Sequence, residues 1–130
     1  MNLNRTLTVT SLLTILFLTF HLSDEITRGM EQGRLNMVIP IFVLAAWAYG
    51  AVALAGRRSG YIIMLLGAII GTGVPILHMS GAAGLVSSRI ANSRAAFFWV
   101  WQNFTLCVIS AFSLMLAVRE LWRFKRENRG

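Results

Sequence analysis

Four long apolar runs, none containing an aspartate, glutamate, lysine or arginine, limit what this chain can fold into. They lie at about residues 6–23, 35–55, 61–80 and 95–118. A helix crossing the hydrocarbon core of a bilayer needs about 20 apolar residues, and each run meets that length. Within that core a helix satisfies its own backbone groups. The expected fold is therefore an all-α integral membrane protein, an antiparallel four-transmembrane-helix bundle. At 130 residues it reads as a single transmembrane domain, with a short basic tail at 119–130. Charged residues make up 13% of the chain, about half the share usual in soluble proteins.

The net charge of +7 does not indicate a nucleic-acid partner. Five of the twelve basic residues crowd the last twelve positions, where anchoring at a membrane surface accounts for them. The lipid bilayer is the expected partner, with a homo-oligomer or a larger membrane complex as further possibilities. The first run follows only Arg5, and no small-x-small cleavage site follows Phe20. It reads as a retained span and not a signal peptide. The single cysteine, Cys107, excludes an internal disulfide.

Arginine and lysine are divided unequally between the two sides. Arg5, Arg57, Arg58, Arg119, Arg123, Lys125, Arg126 and Arg129 fall on one side, and Arg28, Arg34, Arg89 and Arg94 on the other. The positive-inside rule then places both termini in the cytoplasm of a multi-pass cell-membrane protein. Spans one and three exit outward at His21 and His78, and span four enters at Trp99 to Asn103. His21, Asp24, Glu25, His78, Gln102 and Asn103 thus share one depth near the outer face. If the first helix continues past the hydrocarbon edge, His21, Asp24, Glu25 and Arg28 form an exposed polar ridge, and Gly29 or Gly33 ends the helix.

The third span carries Gly67-x-x-x-Gly71, a small-residue pattern that lets helices approach closely. Gly67, Gly71 and His78 share one helical face, and Gly73 and Pro75 strain the same turn. Gly67, Gly71, Gly73 and Pro75 are the expected helix-packing positions. The hydroxyls of the first span are expected to bond back to their own helix carbonyls. Trp47 and Tyr49 lie deep enough to be packing groups. Phe97, Phe98, Trp99 and Trp101 read as an interfacial aromatic belt.

No phosphate-binding loop, nucleotide fingerprint or activated nucleophile is present, so no catalytic residue is assigned. The chain also differs from small four-helix multidrug exporters, which depend on a glutamate in the middle of the first span. Residues 14–18 contain no acid here. The preferred functional reading is a non-enzymatic accessory or binding subunit with an outward-facing polar cluster. The alternative is a membrane metal- or haem-binding redox protein using His21 and His78. A divalent ion would take His21 with Asp24 or Glu25, plus His78. A haem would take the two histidines as axial ligands. A quinone or lipid pocket flanked by aromatics is the third possibility.

Overall fold

The computed structural model describes residues 3–27, 34–79 and 96–127. These form four helices: α1 Leu3–Thr27, α2 Arg34–Val52, α3 Arg58–Met79 and α4 Ala96–Glu127. There is no strand among the described residues. Three helices, α1, α3 and α4, are long and apolar enough to cross a membrane; α2 is apolar but shorter. The protein is a multi-span integral membrane protein. The expected helix ends at Gly29 or Gly33, together with Arg28, Arg89 and Arg94, lie outside the described residues.

Most of the buried positions in α1, α3 and α4 follow one spacing. In α1 they are Leu7, Ser11, Thr14, Leu18, His21 and Glu25, spaced four, three, four, three and four. In α3, Tyr61, Met64, Ala68, Gly71 and Pro75 alternate three and four. In α4, Trp99, Asn103, Leu106, Ser110, Ser113, Ala117 and Glu120 do the same. This is the 3.5-residue period of left-handed helix packing. In a soluble bundle such positions would be large and apolar. Here many are small or polar, whereas Val9, Leu16, Phe42, Ile69, Phe104 and Val108 point outward. An apolar exterior around a small, polar seam suits a lipid solvent, where close packing and not water exclusion holds helices together.

Three helices meet closely at Gly71. A Cβ added at Gly71 would sit 2.8 Å from Thr14 Cγ2 and 3.1 Å from Ser110 Cβ. One at Gly67 would run into the Trp47 ring of α2. The hydroxyls in this layer are satisfied within their own helices. Thr14 Oγ1 donates to the Thr10 carbonyl at 2.8 Å, and Ser110 Oγ donates to the Leu106 carbonyl. Such back-bonding removes the cost of placing a hydroxyl in a dry interior. The α2–α3 turn uses Gly56 with φ of 80°, a left-handed conformation that suits glycine.

Several positions depart from expectation. Gly73 does not pack: a Cβ there would meet nothing within 4 Å, because it lies off the seam face. Tyr49 is 60% exposed, whereas Trp47 is buried against Gly67. Trp99 turns inward from the aromatic belt, leaving Phe97, Phe98 and Trp101 outside. Pro75, by contrast, lies inside α3, where the span placed it. The basic tail is not separate from the bundle. α4 continues to Glu127, with Glu120 buried and Leu121 and Phe124 packed at the edge of the core.

Gly71→Leu is expected to lower stability by about 1–3 kcal/mol, the usual cost of overpacking. Gly73→Ala should be neutral or stabilising by up to about 1 kcal/mol, since alanine is the better helix former. Thermal unfolding in mild detergent compares the two; equal midpoints would mean that Gly71 does not lie in a tight seam.

Candidate metal centre

His21 and Glu25 stand four residues apart on the last turns of α1, so both side chains fall on the seam face. His78 ends the same face of α3. The three-helix layer at Thr14, Gly71 and Ser110 sets their level. His21 lies seven residues beyond Thr14, and His78 lies seven beyond Gly71. Seven residues are two helical turns, or about 10 Å along each axis. Two helices in close parallel contact at the glycine therefore bring their imidazoles to the same height. The ring centroids are 4.8 Å apart at an interplanar angle of 54°. From α4, running the other way, Trp99 places its ring 6.5 Å from His21 and 6.0 Å from His78.

Glu25 Oε1 lies 3.2 Å from His21 Nε2 and 3.0 Å from His78 Nε2. His21 is fully buried, Glu25 is 5% exposed and the His78 side chain 12%. Two members of the expected exposed ridge, His21 and Glu25, are therefore interior. Burying a carboxylate here is costly unless positive charge compensates it, either imidazolium or a metal cation. The three residues each offer one ligand atom, and these atoms all lie within 4.8 Å of one another. Donors around a tetrahedral ion at metal–ligand distances of about 2.0–2.1 Å stand roughly 3.3 Å apart. Both carboxylate–imidazole separations are close to that value. The cluster can coordinate a divalent metal ion.

The hydrogen bonding around His21 bears on this. Neither ring nitrogen of His21 makes a hydrogen bond, although Nε2 sits 3.2 Å from a carboxylate oxygen. A donor and an acceptor align with each other; two ligands of one ion converge on the ion instead. His78 Nδ1 is likewise buried and without a hydrogen bond. Ser11, Trp47, Trp99 and Ser113 also carry buried polar atoms without a hydrogen bond, so the convergence of three ligand atoms is what distinguishes this cluster.

The other candidate residues serve different ends. Asp24 is half-buried and stands outside the cluster. Gln102 is buried and its amide nitrogen donates to the Phe17 carbonyl at 3.2 Å, tying α4 to α1 one turn from His21. Asn103 donates to the Trp99 carbonyl at 2.9 Å and so fixes the turn that carries the indole. Gly67 and Gly71 support the helix contacts, and Pro75 is buried one turn before His78. The sequence reading missed Trp99 as a wall of the cluster. Its spacing of four, seven and eleven residues from Asn103, Leu106 and Ser110 was the available signal. It also missed Glu120, a second buried carboxylate at the far end of the seam, beside the Tyr61 hydroxyl.

No protein-family model, curated protein or solved structure matches the chain.

In metal-free protein, Glu25→Ala removes the carboxylate that stands 3.2 and 3.0 Å from the two imidazoles and should cost about 1–3 kcal/mol. The exposed Arg123–Glu127 pair, 2.9 Å apart, provides the comparison. Glu127→Ala should cost about 0.5 kcal/mol or less. Denaturation of both variants under chelating conditions makes the measurement; equal small losses would show that Glu25 is not engaged by the histidines.

Proposed function

We propose that this protein binds a divalent transition-metal ion through His21, Glu25 and His78, at the outer end of a membrane-embedded helix bundle. The observation carrying this reading is the convergence of two imidazoles on one buried carboxylate, with one ligand atom from each residue and all three within 4.8 Å of one another. Two imidazoles and one carboxylate are ligands suited to zinc, and to ferrous iron in an open three-ligand site. Three protein donors leave coordination positions for water, a transported or transferred ligand, or a group from a partner. The role is metal binding or handling; no reaction is assigned.

The other readings are less well supported. A purely accessory subunit needs close packing, which the glycine layer supplies, but has no need of a carboxylate buried between two histidines. A haem needs its macrocycle between the two imidazoles. Glu25 Oε1 lies within 3.0 and 3.2 Å of both Nε2 atoms, in the space a porphyrin would take.

Purified protein should retain about one zinc ion per chain after dialysis against a weak chelator. His21→Gln, Glu25→Gln and His78→Gln should each weaken retention at least tenfold, as loss of one of three ligands implies. Asp24→Asn should retain the ion. No retained metal, or equal retention in the three ligand variants, would leave an ion pair that merely ties α1 to α3.

The finer topology belongs to the same reading. Four spans form one antiparallel transmembrane domain, with α2 as the fourth crossing and both termini cytoplasmic. The eight-to-four division of basic residues supports this. Reporter fusions at Gly33 and Gly130 should report opposite sides. An externally active Gly130 fusion would reverse the orientation and put the metal centre on the cytoplasmic face.

A further inference from the structure

At the end of the bundle opposite the histidines, α4 and the start of α1 enclose a groove of about 510 Å³. Its walls are Leu3, Met115, Val118, Arg119, Trp122, Arg123 and Arg126. The order of these residues along α4 is informative. Met115 and Val118 come first and are apolar, 62% and 38% exposed on the lipid-facing surface. Arg119, Trp122, Arg123 and Arg126 follow toward the helix end. The sequence from apolar wall to cationic rim covers about 16 Å of helix. A phospholipid has the same order, acyl chain then glycerol then phosphate.

The charges are also disposed for an anion. Arg123 Nε is paired with Glu127 at 2.9 Å. Among the described residues, Arg119 and Arg126 have no carboxylate partner. They flank Trp122, 66% exposed, a residue type that settles at the headgroup level. Guanidinium groups bind phosphate oxygens in paired hydrogen bonds, which a lysine cannot do. We propose that this groove is a binding site for one anionic phospholipid. Arg119 and Arg126 hold its headgroup phosphate, Trp122 packs beside the glycerol, and Met115, Val118 and Leu3 contact the upper acyl chain. The proposal rests on the membrane character of the protein and is independent of the metal reading.

The test is native mass spectrometry of protein released from mild detergent after incubation with equimolar phosphatidylglycerol and phosphatidylcholine. Wild-type protein should retain phosphatidylglycerol preferentially. R119Q/R126Q should reduce that preference by about tenfold or more, since each basic residue near an anionic surface contributes roughly fivefold. R57Q/R58Q provides the control: these arginines follow Gly56 at the same end of the bundle but do not line the groove. It should keep the preference. The single variants R119Q and R126Q, each expected to lose about fivefold, serve if the double variant has a lowered thermal midpoint. Equal retention of the two lipids by wild-type protein would overturn the proposal, as would an equal loss in R57Q/R58Q. Displacement of the lipid by millimolar inorganic phosphate would reduce the site to a free-phosphate site and overturn the acyl-chain assignment.

Discussion

The contact of Gly71 with Thr14 and Ser110 is the constraint on which the rest of the structure depends. In a lipid solvent no hydrophobic effect presses helices together, and the gain comes from close van der Waals packing. A side chain at position 71 would push α3 away from both α1 and α4. With glycine there, the three helices lock at one level, and the 3.5-residue period carries that registration along the seam. Two turns outward the registered positions are His21 and His78. Two imidazoles at one height thus follow from a missing side chain about 10 Å away.

The seam is also where the polar groups are placed. Ser11, Thr14, Gln102, Asn103, Ser110 and Ser113 are buried, and the helices present leucine, isoleucine, valine and phenylalanine to the outside. Part of this polarity is satisfied within single helices, whereas Ser11 Oγ and Ser113 Oγ make no hydrogen bond. Thr14 and Ser110 bond to their own backbones, and Asn103 bonds within α4. His21 and Glu25 differ in kind, because a buried carboxylate needs a counter-charge that a helix backbone does not supply. That difference separates a packing layer from a cluster able to coordinate a metal ion on the same seam.

Much of the architecture was legible in the sequence. Four charge-free runs announce four helices, three of them long and apolar enough to cross a membrane, and the absence of strands among the described residues follows from the same pattern. The glycines at 67 and 71 could be named because small residues four apart form a groove on any helix. Pairing His21 with His78 needed only the span ends and the alternation of the chain between the two sides. What was not legible was rotation about each helix axis. Asp24 and Glu25 lie three and four residues from His21, and both spacings are compatible with a shared face. Only the partner helix decides that Glu25 points inward. Trp99 was assigned to the interface by residue type, although its spacing from Ser110 places it on the seam. The mixed polarity of that seam hid its period, since serine, threonine and glycine do not stand out as a buried face. The basic tail was read from its charge, while Glu120, Leu121 and Phe124 continue the packing of α4 beneath it.

The central claim is that the registered ends of α1 and α3 present two imidazoles and one carboxylate to a single ion. X-ray absorption at the zinc edge of the zinc-loaded protein tests it most directly. The account predicts a first shell of nitrogen and oxygen at about 2.0–2.1 Å, with outer scattering from two imidazole rings. A sulfur ligand at about 2.3 Å, or an all-oxygen shell without imidazole scattering, would contradict it.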